Sequence, residues 1–168
     1  MKSLLHALMV AGLVLGCSGV AHADGPRESA AVAVTGDVHN PRSFTIDELR
    51  ALPPETKSVT FESDGGSQSH TYVGAMLNDV VSVADPVVDV SAKNAALSLA
   101  VRATGMDGYT VAVSGPEITP GFTATPVLVA YTEDGEPLDR PRLVVPGDLK
   151  GGRYVNDLVE LRVIDLRG

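Results

Sequence analysis

From residue 31 onward the chain never holds one apolar face at helical spacing for long. Its apolar residues come in short runs, and Gly, Pro and Asp cut between them. Val59 and Phe61 share one face of an alternating run over residues 58–63, Asp64-Gly65-Gly66 turns the chain, and residues 69–73 return as a second strand. Residues 97–103 and 109–113 read as strands joined through Gly105-Met106-Asp107-Gly108. Residues 126–132 and Leu138 flank Asp134-Gly135, a dipeptide suited to a tight hairpin turn. Helical signals are few and short. Thr45-Ile46-Asp47-Glu48 has the Thr-x-x-Glu spacing of a capping box and opens a helix through Leu52, with Phe44 as an apolar anchor before it. Gly74 precedes a second helix that carries Met76, Leu77, Val80, Val81 and Ala84, and Pro86 ends it. Strands that do not alternate with long helices exclude a doubly wound parallel sheet. The class this implies is α+β: a β-rich single domain with layered mixed sheets and short helices.

The N-terminus reads differently. Lys2 precedes an apolar run over residues 4–16, and Ala21-His22-Ala23 has the small-x-small pattern of a signal-peptidase site. The run is shorter than the roughly 20 apolar residues of a resident membrane span. We expect residues 1–23 to be a signal peptide, residues 24–33 a flexible lead-in, and residues 34–168 the domain. The expected location is periplasmic or secreted after cleavage near Ala23. The alternative is a lipoprotein anchored at Cys17, since Val14-Leu15-Gly16-Cys17 approaches a lipobox. Cys17 is the one cysteine in the sequence, so cleavage at Ala23 leaves a chain with no disulfide. Cleavage also removes only Lys2 of the 13 basic residues and none of the 21 acidic ones, taking the net charge from −8 to −9. Such a chain repels nucleic acid and anionic lipid, and aromatic residues are too sparse for base stacking.

One segment asks for a chemical reading. Between the apolar run Leu143-Val144-Val145 and the alternation of Leu158, Leu161 and Val163 lie Gly147, Lys150, Gly151, Gly152 and Arg153. Either they form a plain turn with solvated cations, or backbone amides and cations hold an anion there. Elsewhere the residues point to structure. Asp107-Gly108-Tyr109 reads as a tight turn with Tyr109 opening a core strand. Asp64, Ser69 and His70 are the residue types of a hydrolase triad, but sequence proximity does not supply triad geometry. His39 and His70 lack any local metal-binding spacing.

Several segments, in order, resemble the sulfite-oxidase-type molybdopterin-binding domain. They are Val34-Thr35-Gly36-Asp37-Val38-His39-Asn40-Pro41 with Phe44-Thr45-Ile46-Asp47-Glu48-Leu49, then Val73-Gly74-Ala75-Met76-Leu77-Asn78-Asp79-Val80-Val81, then Asp107-Gly108-Tyr109. Gly135-Glu136-Pro137-Leu138 with Pro141-Arg142-Leu143-Val144-Val145-Pro146 is similar to the family's last hairpin. Gly152-Arg153-Tyr154-Val155 and Leu161-Arg162-Val163 are similar to its closing loop and strand. The resemblance covers residues 34–165. It implies a compact α+β domain, an oxidoreductase-type label and molybdopterin as candidate cofactor.

In that family a cysteine thiolate binds the metal, as soft sulfur suits a molybdenum centre. The matching position falls near Phe61 or Glu62, and residues 24–168 contain no cysteine, which argues against molybdenum. The family's closing loop holds the pterin phosphate. By resemblance the cofactor-binding set here is Lys150, Gly151, Gly152, Arg153 and Asn156, with Asn156 standing where a second basic residue is usual. Three readings follow. The chain is a non-catalytic or altered-ligand module that takes an anionic small molecule, a pterin or a protein partner. Alternatively it is an active molybdenum-pterin oxidoreductase with an oxygen ligand such as Glu62 or Ser63, or a purely structural interaction domain.

Overall fold

The computed structural model describes residues 30–89 and 91–167. The expected signal peptide, with Cys17 and the Ala23 cleavage site, lies outside the described residues.

Among the described residues, nine strands and three short helices follow one another, with two 3-10 turns. Strand β1 (Ala31–Gly36) and β2 (Arg42–Thr45) form a hairpin, and helix α1 (Ile46–Arg50) follows directly. Strand β1 thus takes in residues 31–33 of the stretch expected as lead-in. The capping box is present in both arms: Thr45 Oγ1 accepts from the Glu48 amide, and Glu48 accepts from the Thr45 amide. Phe44 is buried. Strands β3 (Pro54–Ser63) and β4 (Gly66–Met76) form a ten-pair antiparallel hairpin. Helix α2 (Leu77–Val83) starts three residues later than Gly74 suggested. Gly74 belongs to β4, at a bulge where a Cβ would strike the Val129 carbonyl and the Ala130 backbone. The glycine is there for close strand approach, not for a helix start.

A 3-10 turn (Ala95–Ser98) replaces the first residues of the strand expected from 97, and β5 runs Leu99–Gly105. Strand β6 (Thr110–Ser114) leads into α3 (Gly115–Ile118). Strands β7 (Leu128–Glu133) and β8 (Glu136–Val144) meet at Asp134-Gly135, both with positive φ, the geometry of a two-residue primed turn. Strand β9 (Leu158–Asp165) closes the chain.

The strands form two sheets. A five-stranded sheet has the order β2-β1-β9-β5-β6, with β1 and β9 parallel and the other pairs antiparallel. A four-stranded antiparallel sheet has the order β3-β4-β7-β8. The main core lies between them. Val32, Val34, Val101, Leu161 and Val163 of the first sheet share it with Val129, Tyr131 and Leu143 of the second and with Leu77, Val80 and Val81 of α2. The second sheet is apolar on its outer face too. Val59, Tyr72, Leu128, Ala130 and Val144 form a smaller cluster there, capped by Phe61, Leu138 and Tyr154. Something must cover that face, because exposed apolar area of this kind is unfavourable by roughly 25 cal/mol per Å².

The cover is the segment between β8 and β9. These two strands belong to different sheets, so the Gly-rich stretch is a crossover between layers and not a hairpin turn. Glu62 N–H donates to the Leu149 carbonyl at 2.9 Å, tying the crossover to edge strand β3. Leu143 N–H donates to the Val155 carbonyl at 2.9 Å, tying it to β8, the opposite edge. Between the ties, the Tyr154 ring stacks on Phe61 with centroids 4.4 Å apart.

Candidate functional site

The tie between Glu62 and Leu149 brings the end of β3 against the crossover. Phe61, Glu62, Ser63 and Asp64 line a cavity of about 410 Å³ together with Lys150, Gly151 and Gly152. Phe61 and Glu62, near which the resemblance places the family's metal ligand, and three of the residues expected to cradle an anion therefore share one cavity. Gly151 belongs there for a steric reason. A Cβ on it would lie 2.6 Å from the Phe61 ring, so only glycine lets the loop settle on that ring. Gly152 has open space around it, and its carbonyl accepts the Tyr109 hydroxyl at 2.6 Å. Tyr109 is half exposed and does not open a core strand as expected. Asp107 Oδ1 accepts from the Tyr109 amide at 2.9 Å, and Gly108 takes a positive φ, so the turn sends the ring outward to the loop.

Arg153 lies elsewhere. Its Nε and Nη2 donate to both oxygens of Asp148 at 2.8 and 2.6 Å, and its Nη1 donates to Glu117 of α3 at 2.6 Å. The bond to Asp148 holds the guanidinium above its ordinary pKa; burial opposes this, and Glu117 adds to it. Burial pushes Glu117 up, but the Ser114 amide, Arg153 and the Ser114 hydroxyl outweigh it and leave the carboxyl below 4.5. Arg153, Asp148 and Glu117 line a separate cavity of about 190 Å³ with Val145, Pro146 and Gly147. Asn156 is exposed and lines neither cavity. Of the five expected cofactor-binding residues, the structure thus gathers Lys150, Gly151 and Gly152, turns Arg153 toward α3, and leaves Asn156 apart.

Sequence reasoning missed the aromatic floor of the crossover. Phe61, His70, Tyr72 and Tyr154 follow one another with centroids 4.4 to 6.3 Å apart. Burial, and then the Asp148 charge, push the Tyr154 phenol up to about 12. The only signal in the sequence was the alternation of Phe61 and Val59 and of His70 and Tyr72 on paired strands.

A family model described as an oxidoreductase molybdopterin binding domain matches residues 20–167. The chain belongs to that family. The crystal structure of the sulfane dehydrogenase SoxCD from Paracoccus pantotrophus is similar in fold, with a TM-score of 0.64 at 20% identity over 80% of this chain. This molybdopterin-binding domain spans 38% of that chain. No curated protein matches the sequence. The α+β architecture with two sheets and short helices agrees with the family.

Family membership makes molybdopterin the candidate cofactor. Among the described residues there is no cysteine to anchor it as a thiolate. The cavity wall at the matched position offers a ring, a carboxylate and a hydroxyl from Phe61, Glu62 and Ser63, and no sulfur. Lys150 shares the lining with Glu62 and Asp64, so the cavity wall carries two carboxylates against one ammonium. Arg153 would have to leave both of its carboxylates before it could grip a phosphate. No helix among the described residues is long and apolar enough to cross a membrane.

Proposed function

We propose that this chain is an exported, non-catalytic member of the molybdopterin-binding domain family whose cleft serves as a small-molecule binding site. One observation supports the reading: the end of β3 presents Phe61, Glu62 and Ser63 to the crossover, where by the family resemblance a metal-anchoring thiolate is expected. Within the cleft, Lys150 is the cation that meets an anionic group, and Gly151 and Gly152 let that group approach the backbone. The flat Phe61 ring suits the heterocycle of a pterin or a similar ligand. Export rests on the leader pattern of residues 1–23, and the N-terminal sequence of protein recovered from the periplasm tests it.

Fluorescence of pterin released on denaturation, from protein made in a molybdopterin-competent host, tests the binding reading. Pterin without stoichiometric molybdenum supports it. Lys150→Ala should then lose the ligand, while Arg153→Ala keeps it. Absence of pterin and of any other co-purifying small molecule favours an interaction domain instead. A second reading follows from Glu62 and Ser63 lining the same cavity as Lys150: an oxygen donor holds the metal and the domain is an active oxidoreductase. Bound molybdenum that is lost in Glu62→Gln or Ser63→Ala would select that alternative.

A further inference from the structure

A second group of donor atoms lies outside the cleft, at the turn between β7 and β8. His70 Nδ1 is 2.8 Å from Asp134 Oδ2 and 3.3 Å from Glu133 Oε1. The three donor atoms lie within 4.8 Å of one another. Zinc binds nitrogen and carboxylate oxygen at about 2.0–2.2 Å, so neighbouring donors in a tetrahedral site stand roughly 3.3 Å apart. The two distances from His70 are within half an ångström of that spacing.

Each carboxylate is also held through the oxygen that does not face the imidazole, as metal ligands commonly are, and Glu133 through its facing oxygen as well. Asp134 Oδ1 accepts from the Thr71 amide at 2.8 Å, and the Asp134 amide donates to the Thr71 carbonyl at 2.8 Å. Glu133 Oε2 accepts from Arg142 at 2.6 Å, and its Oε1 also accepts the Tyr72 hydroxyl at 2.8 Å. The primed turn locks the Asp134 backbone with positive φ. Such partners orient ligands before an ion arrives. A shallow cavity of about 210 Å³, lined by Ser58, Thr60, Ser69 and Thr71, opens beside His70 and Asp134 and leaves room for water on a fourth position.

We propose that His70, Glu133 and Asp134 bind a divalent transition ion of the zinc type, with its remaining position open to solvent or to a small ligand. One imidazole and two carboxylates suit an ion of borderline softness, and three donors are too few for calcium, which takes six to eight oxygens. The inference is independent of what the cleft binds. It also explains why no local motif marks the site: His70 and Asp134 are 64 residues apart.

The test is zinc titration of the full chain near neutral pH, followed by calorimetry and by the ring nitrogen resonances of His70. His6, His22, His39 and Cys17 also bind zinc in principle, so the His70 resonances and the variants carry the decision. We expect the Nδ1 resonance of His70 to move on zinc addition. We also expect His70→Gln and Asp134→Asn to weaken the site by at least about tenfold. Cobalt should give a four-coordinate visible spectrum that both variants lose. Zinc that binds the folded wild type and His70→Gln equally, or that leaves the His70 ring nitrogens unmoved at saturation, overturns the proposal. The cluster is then an ion pair only.

Discussion

Arg153→Met tests what holds the crossover down. The substitution keeps an apolar stem and removes the guanidinium, with its two bonds to Asp148 and one to Glu117. Charge-assisted bonds contribute about 1.5–3 kcal/mol each when well buried. Exposed ion pairs contribute about 0.2–1 kcal/mol. Here the side chains of Arg153 and Glu117 are 34% and 35% exposed and Asp148 is 20% exposed, so the value lies between those limits. Losing three bonds and leaving two carboxylates unpaired should cost about 2 kcal/mol. For a domain of this size that is a fall in Tm of roughly 4–8 °C. Urea denaturation of wild type, Arg153→Met, Glu117→Gln and the double variant gives the coupling directly, and we expect about 1 kcal/mol between the two side chains. The difference should also depend on pH. Glu117 has its folded pKa lowered below 4.5, so its contribution is complete above that value and fades as pH falls through the lower folded one. A stability change below about 0.5 kcal/mol, or a coupling of zero, would refute the view that Arg153 is a structural clamp. It would return the guanidinium to anion binding.

Gly151→Ala places a Cβ 2.6 Å from the Phe61 ring and should destabilise by about 1–3 kcal/mol, read as a lower urea midpoint. Tyr109→Phe removes the bond to the Gly152 carbonyl and should cost about 0.5–1.5 kcal/mol, read in the same assay. Tyr72 is pushed up to about 12 by burial and by its bond to Glu133, against Arg142, and Tyr154 reaches about 12 as well. Ultraviolet titration should therefore show two of the four tyrosines ionising late. Because the unfolded phenols ionise near 10, stability should be intact below that pH and fall as pH rises toward 12.

Much of the local structure was legible because its causes are local. The Thr45 capping box, the Asp134-Gly135 turn and the Asp107 turn each depend on residues within three positions. What failed depended on partners far along the chain. Alternation tells which face a residue takes but not which sheet its strand joins, so β8 and β9 read as neighbours although they lie in different layers. Gly74 read as a helix start because its reason, the backbone of Val129 and Ala130, sits more than fifty residues away. Arg153 read as an available cation because Glu117 comes from another element, 36 residues earlier. Asp148, only five residues away, gave no signal, since carboxylates are frequent in so acidic a chain. Lys150, Gly151 and Gly152 were grouped by sequence nearness and line one cavity, but the other residues of its wall, Phe61, Glu62 and Ser63, came into view only through the resemblance to the family's metal-ligand position.

The most direct measurement is the molybdenum-to-protein ratio, by elemental mass spectrometry, of processed protein purified from a host that makes molybdopterin. The absence of sulfur around Phe61, Glu62 and Ser63 predicts a ratio far below one. One tightly held molybdenum per chain, retained through purification and turning over a substrate, would contradict it.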